Sequence, residues 1–162
     1  MSIVVIDASI AIKWVVEEDG SAQALALRGH RKVIAPDLLV SECANVLWKK
    51  VVRRELEPDE ARIAAKLLAR AEIELFGTRA LFEPAIDLAL QLEHPAYDCV
   101  YFALAIEQRC RFITADEGFV RKIQSKCAAE MHEYIQLLNK TQLAAPKTGF
   151  RGKKGRTHEE EA

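Results

Sequence analysis

The chain has 162 residues, half of them hydrophobic, which is enough for one compact domain with a sizeable core but too few for two ordinary domains. Its 23 basic and 24 acidic residues leave a net charge of -1, which excludes the strongly basic body of a non-specific nucleic-acid binder. Any contact with a polyanion must therefore be local.

The chain carries no sign of secretion, membrane insertion or zinc binding. Only four apolar residues precede Asp7, too few for a signal-peptide core, and no segment approaches the roughly 20 apolar residues of a membrane span. The four cysteines show no CxxC pair and lie among apolar residues, which indicates reduced thiols. We therefore expect a soluble, cytoplasmic protein.

Strand and helix patterns alternate along most of the chain. A continuous β-branched run that is typical of a buried parallel strand occurs at 3–6, and the segments at 33–35, 73–76 and 112–114 look similar. Helical patterns occur at 9–16, 21–28, 37–53, 58–71, 78–92, 96–108 and 117–125. A fifth strand around 131–135 is a weaker prediction, because that segment could equally be a helix running to residue 139. The pattern predicts a three-layer α/β domain with a central parallel sheet of about five strands flanked by helices.

The boundaries of elements and of the domain have signals of their own. Asp37 is expected to cap the helix that follows Pro36, and Pro58 suits a first helical turn. Proline, glycine and runs of charge begin at about residue 141, so we predict a folded domain over 1–140 and a disordered charged tail over 141–162. The basic stretch of the tail would suit nucleic-acid phosphates, but the three glutamates that follow favour a plain solvated extension.

Two acidic residues directly follow predicted strands. Asp7 stands at the carboxyl end of the first strand and Asp116 just past the strand at 112–114, which is the edge where open parallel sheets place their ligands. Either residue would serve equally well as a helix cap or turn residue. Ser9 is a second cap candidate, which would free Asp7 for other work. If the two strands are neighbours, both carboxylates line one crevice.

Two further carboxylates are predicted to face the interior. At about 100 degrees per residue, Glu42 falls inside the apolar arc of its helix, where an unpaired charge is strongly unfavourable. Asp98 is the only charged residue between His94 and Glu107, so it too is expected where water is scarce. The alternatives are a buried salt bridge for Glu42 and a stabilising interaction with the helix dipole for Asp98.

A hard divalent cation would account for all four acids together. Carboxylate oxygens suit Mg2+ or Mn2+, whereas four close carboxylates without an ion would repel one another and take up protons. Such ions activate water for in-line phosphoryl displacement, so the set predicts phosphodiester hydrolysis. No serine triad, phosphate loop or HExxH helix competes, and the four scattered histidines indicate surface or structural roles.

Four segments in order also carry a resemblance: VVIDAS at 4–9, PDLLVSE at 36–42, YDCVYFALA at 97–105 and ITADEGF at 113–119. Together they resemble the PIN-domain family, particularly the VapC-type toxin ribonucleases of type II toxin-antitoxin systems, over about residues 1–140. Carried over by position, the acidic tetrad of the family falls on Asp7, Glu42, Asp98 and Asp116. Its frequent hydroxyl positions fall on Ser9 and Thr114, and Asn45 and Glu117 are further candidate supporting residues.

The resemblance implies an endoribonuclease that requires Mg2+ or Mn2+, forms a homodimer and is inhibited by a small antitoxin protein. In this hypothesis Asp7, Asp98 and Asp116 hold the metal directly or through water, while Glu42 helps bind it or positions the attacking water. Two alternatives stay open: a PIN nuclease of RNA processing or decay outside a toxin-antitoxin pair, and a non-catalytic interaction module. The complete set of four acids counts against the second.

Overall fold

The computed structural model describes residues 1–138, and these residues contain a five-stranded sheet whose paired strands all run parallel. The strands are β1 (Ser2–Ile6), β2 (Arg31–Pro36), β3 (Glu74–Phe76), β4 (Arg111–Thr114) and β5 (Ile135–Leu137). Their order across the sheet is β3-β2-β1-β4-β5, so β1 is central and has β2 and β4 as its neighbours. Because Ile6 lies opposite Ile113, the residues that follow β1 and β4 reach the same edge of the sheet.

Helices connect the strands and flank the sheet. Within the described residues they are α1 (Ala8–Ala11), α2 (Ser21–Leu25), α3 (Leu38–Val52), α4 (Pro58–Ala69), α5 (Phe82–Leu92), α6 (Ala96–Glu107) and α7 (Glu117–Lys126), with short 3-10 segments at Ile12–Trp14, Thr78–Leu81 and Ala129–Tyr134. α6 contacts β1, β2 and β4 and packs on α5, whereas α3 contacts β2 and packs on α4 and α1. The predicted α/β fold with a central parallel sheet is confirmed.

The core follows from the apolar runs of the sequence. Val4, Val5 and Ile6 are all buried, as expected of a strand that is covered on both faces. α6 is buried from Cys99 to Ala105, which fits a helix that is apolar nearly all round. The helix and the sheet meet where Phe112 of β4 stacks on Tyr101 of α6, with ring centroids 5.6 Å apart and planes 15° from parallel.

The fifth strand exists, but its predicted position was wrong. The sequence placed it around 131–135, whereas a 3-10 segment occupies Ala129–Tyr134 and the strand begins only at Ile135. Its place is determined by pairing with β4, since Ile135 lies opposite Phe112 and Leu137 opposite Thr114. That partner is distant in sequence, so the local pattern could not position the strand.

The helix starts follow the sequence signals at one site and depart from them at another. Pro58 begins α4 as expected, and the Glu60 side chain accepts the backbone N–H of Glu57 at 2.7 Å. Asp37 precedes α3, but its side chain makes no cap hydrogen bond there. Instead it accepts both the backbone N–H and the hydroxyl of Thr78, so Asp37 ties the end of β2 to the segment that follows β3.

The predicted charged tail at 141–162 lies outside the described residues, so the domain boundary at residue 140 stays a prediction. Among residues 1–138, no helix combines the length and the apolar character that crossing a membrane requires.

The fold predicts a strong contrast between two identical substitutions. Phe112→Ala should lower the free energy of unfolding by about 3–5 kcal/mol, because it removes a fully buried ring between β4 and α6. Phe82→Ala, at a side chain that is 67% exposed, should change it by less than about 0.5 kcal/mol. Urea unfolding of the two variants measures both values, and equal losses would contradict the core described above.

Candidate active site

Asp7 occupies the junction between β1 and α1, and its side chain is enclosed. The residue is only 6% exposed. Its Oδ1 accepts the Ser9 hydroxyl at 2.5 Å and the Ile10 backbone N–H at 3.3 Å, and its Oδ2 accepts the Thr114 hydroxyl at 2.6 Å. Asp7 therefore caps α1 itself, and the suggestion that Ser9 would take over this cap was wrong. Ser9 lies inside α1 and uses its hydroxyl to join Asp7 to the backbone N–H of Ala115, at 3.0 Å.

The electrostatic environment of Asp7 opposes its ionisation. Burial raises the pKa of this carboxyl, the hydrogen bonds from Ser9, Thr114 and Ile10 lower it, and the negative charge of Asp98 raises it. The net result is a pKa of about 6, above the ordinary value of 3.8. The three donors therefore compensate only in part for the loss of water around this carboxylate.

Glu42 lies on α3 and points toward α6, as its helical phase predicted. Its Oε2 accepts the hydroxyl of Tyr101 at 2.7 Å, and the residue is half-buried. Burial raises the pKa of Glu42, the Tyr101 hydrogen bond lowers it, and the charge of Asp98 raises it again. Burial, together with the negative charges of Glu42 and Asp7, raises the pKa of the neighbouring Cys43 thiol to about 12. This thiol is therefore a poor nucleophile.

Asp98 lies in the first turn of α6 and completes an acidic cluster with Asp7 and Glu42. Its charge raises the pKa of both of the other carboxyl groups, so Asp98 lies within electrostatic reach of each of them. The Oδ2 of Asp98 lies 2.6 Å from Nε2 of His94. Asp98 is 32% exposed at its side chain, which makes it more open to solvent than Asp7.

Asp116 reaches the same sheet edge but is held differently. It caps α7, where Oδ1 accepts the Phe119 backbone N–H at 3.0 Å, and the residue is exposed. Its own backbone N–H donates to the Thr114 hydroxyl at 3.1 Å, which in turn donates to Asp7. A Cβ at Gly118 would come within 3.3 Å of the Asp116 Oδ1, so the glycine leaves room for this carboxylate. Asp116 is thus linked to the cluster through Thr114 rather than through its side chain.

The four candidate supporting residues divide into two pairs. Ser9 and Thr114 both contact Asp7 directly. Asn45 is exposed on α3 and makes no hydrogen bond to Glu42 within residues 1–138. Glu117 is also exposed and pairs with Arg121 at 3.8 Å. The structure therefore gives only the two hydroxyl residues a direct contact with a candidate site carboxylate.

Two residues of the site were missed by the sequence analysis. Tyr101 is 59 positions from Glu42 in the chain, and nothing local indicates that their side chains meet. His94 was assigned a surface or structural role with the other histidines, although it lies four residues before Asp98. That spacing, with Pro95 between them, was a signal that could have found it.

The carboxylate chemistry of this cluster fits a divalent cation. Within the described residues, no three His, Cys, Asp or Glu side chains are arranged to hold a metal ion. Mg2+ does not need such a cage, because it keeps several waters and commonly uses one or two carboxylates. The repulsion that Asp98 exerts on Asp7 and on Glu42 is what a bound cation would relieve.

The raised pKa of Asp7 predicts a specific pH dependence for the metal-free protein. The folded state holds this proton more tightly than the unfolded chain does. Below about pH 4 the carboxyl is protonated in both states, so its burial does not lower the free energy of unfolding. Above about pH 6 it is ionised in both states, and its burial lowers the free energy of unfolding by the full amount. Each pKa unit corresponds to about 1.4 kcal/mol, so the penalty is on the order of 3 kcal/mol. Asp7→Asn should therefore gain stability relative to wild type as the pH rises from 4 to 7.

Urea unfolding of both proteins in a chelator at several pH values measures this difference. Taking the difference between the two proteins removes the shared contributions of other carboxylates. A constant difference across the range would show that Asp7 is not held in a desolvated site.

Comparison with known proteins finds solved structures that share this fold. Among solved structures, PAE2754 from Pyrobaculum aerophilum is 18% identical with a TM-score of 0.58, covering 75% of this chain and 79% of that one. VapC20 of Mycobacterium tuberculosis, a sarcin-ricin loop cleaving toxin, is 15% identical with a TM-score of 0.58, covering 73% and 93%. VapBC2 of Rickettsia felis, solved with a DNA fragment from its promoter, is 12% identical with a TM-score of 0.59, covering 85% and 99%. At these identities the likeness shows a shared fold.

The sequence itself gives the family. A search of curated proteins finds no match. The family model described as the PIN domain, however, matches residues 4–123, a span that holds Asp7, Glu42, Asp98 and Asp116. Because this match covers most of the chain, the protein belongs to the PIN-domain family.

Proposed function

We propose that this PIN-domain protein is an endoribonuclease that depends on Mg2+ or Mn2+ and is the toxin of a VapBC-type toxin-antitoxin pair. The observation that carries the proposal is the acidic cluster of Asp7, Glu42 and Asp98 at the carboxyl edge of the parallel sheet. A buried carboxyl with a pKa of about 6 is an unfavourable feature that a bound cation would turn into a ligand. This geometry supports a metal site, and membership of the PIN-domain family supports nuclease activity at that site.

The residues of the cluster have distinct tasks in the proposed site. Bound Mg2+ or Mn2+ would supply a more acidic water and stabilise the charge on the phosphoryl oxygens. Asp7 and Asp98 hold the ion, Asp116 binds it directly or through water, and Glu42 helps bind it or positions the attacking water. The Tyr101 hydroxyl fixes Glu42, and the hydroxyls of Ser9 and Thr114 fix Asp7.

The toxin role is supported by the solved structures that share the fold, among them VapC20 and VapBC2. A toxin-antitoxin complex from Klebsiella pneumoniae also shares it, with a TM-score of 0.50 at 14% identity over 71% of this chain and 88% of that one. We accordingly propose RNA as substrate, a small antitoxin protein as partner, a homodimer as the assembly and the cytoplasm as its location. The alternative is a PIN nuclease of RNA processing or decay that has no antitoxin.

Substitution of single site carboxylates tests the catalytic assignment. Asp7→Asn and Asp98→Asn should each reduce cleavage of RNA in Mg2+ or Mn2+ by about 100-fold or more, since each removes a charge that holds the ion. Asp87→Asn is the matched control, because Asp87 is an exposed carboxylate on α5 outside the cluster. Initial rates on a defined RNA with purified protein measure the loss, and circular dichroism confirms that the variants are folded. Wild-type rates for Asp7→Asn would refute the assignment.

Controlled expression tests the biological role separately from the chemistry. Wild-type protein should arrest growth and produce new RNA ends at a restricted set of sequences, whereas the Asp7→Asn protein should do neither. Coexpression of the small reading frame that neighbours the native gene should restore growth. Cleavage without growth arrest, and without such a neighbouring gene, would favour the RNA-processing alternative over the toxin role.

A further inference from the structure

His94 is enclosed between three groups of different chemistry. Its Nε2 lies 2.6 Å from Asp98 Oδ2, its Nδ1 lies 3.2 Å from Lys122 Nζ, and its ring packs on Phe119 with centroids 4.9 Å apart. The side chain is only 15% exposed. Lys122 is itself anchored, because its ammonium also donates to the backbone carbonyl of Glu93 at 3.0 Å. The imidazole is therefore fixed on both edges and on one face.

The Lys122 contact determines how the imidazole can act. A lysine ammonium has only donors, so the Nδ1 of His94 must accept from it. The ring proton then lies on Nε2 and is donated to Asp98. Since both nitrogens are engaged, His94 has no lone pair left with which to bind a metal ion itself.

The start of α6 explains why Asp98 depends on this donor. Asp98 is the third residue of the helix, the position from which an acidic side chain commonly reaches back to the backbone N–H of the capping residue. The capping residue here is Pro95, which has no N–H. The usual local partner is therefore missing, and His94, one residue further back, supplies the donor instead.

We propose that His94 is a positioning residue that holds the Asp98 carboxylate through Oδ2 and thereby leaves Oδ1 to bind the divalent ion. Within residues 1–138, Oδ1 of Asp98 accepts no hydrogen bond, so one oxygen is held and the other is free. Outer partners of this kind orient a ligand and typically change metal affinity or activity by about 10- to 100-fold. The inference rests on the proposed function, because it assumes that Asp98 binds the ion.

The experiment compares the Mn2+ affinity of two His94 variants and one control variant, measured by isothermal titration and by the electron paramagnetic resonance signal of free Mn2+. His94→Leu keeps an apolar contact with Phe119 but cannot donate, so it should weaken Mn2+ binding by about 10-fold. His94→Gln carries an amide N–H near the position of Nε2 and should restore most of the affinity. His132→Leu is the matched control, because the part-buried His132 ring makes no hydrogen bond within residues 1–138 other than the one to the Cys127 carbonyl, at 3.1 Å.

Kinetics provides a second readout that general loss of structure would not reproduce. The Mg2+ concentration for half-maximal cleavage should rise about 10-fold in His94→Leu, while kcat at saturating Mg2+ should change much less. Wild-type Mn2+ affinity in His94→Leu, or equal weakening in His94→Leu and His94→Gln, would overturn the positioning role. Asp98→Asn is measured in parallel. Wild-type Mn2+ affinity in that variant would instead overturn the proposed metal site.

Discussion

The burial of one carboxylate, Asp7, is the constraint on which the rest of this site depends. A charge at the end of the central strand loses its water, and the protein replaces that water with hydroxyl and backbone donors from α1 and β4. These donors meet only because β4 lies beside β1 in the sheet. Thr114, which is fully buried, carries the link onward to the backbone of Asp116 and hence to the start of α7. Sheet order, two helix starts and the candidate site are therefore one interdependent structure.

The hydrogen-bond donors only partly compensate for the effect of burial on the pKa of Asp7, and this imbalance is relevant to the proposed function. The pKa of Asp7 stays near 6 even with its hydrogen bonds, and Asp98 adds repulsion to it and to Glu42. A fold optimised for stability alone would place a neutral residue at this position. The same repulsion that destabilises the protein without an ion is the source of affinity for a cation in the proposed site. In the proposed site, lower stability without the ion and affinity for the ion would thus be opposite consequences of one arrangement of charges.

The sequence could predict those features that depend on local pattern. Val4 to Ile6 form a strand because they are a continuous apolar run, and Glu42 faces inward because of its helical phase. Features that depend on a distant partner could not be predicted in this way. The Tyr101 hydroxyl meets Glu42 only once the fold brings these distant parts of the chain together, and β5 is positioned by its pairing with β4. Asp37 was expected to cap α3, but its side chain instead accepts two hydrogen bonds from Thr78, 41 residues later in the chain. His94 is the exception, because its signal was local and was outweighed by the isolation of each histidine in the sequence.

The carboxylates of the proposed site differ in solvent exposure, so the site has an open side and an enclosed side. Asp7 is 6% exposed, Asp98 is 32% exposed at its side chain, and Asp116 is classed with the exposed residues of the chain. Solvent therefore reaches the cluster from the side of Asp98 and Asp116, while Asp7 forms its closed end. Asp98 and Asp116 are therefore the carboxylates of the proposed site that water and a phosphate group could approach, and Asp7 would help hold the ion from the enclosed side. Asp98 stands at the boundary between the two sides, and His94 is the group that holds its orientation in the proposed site.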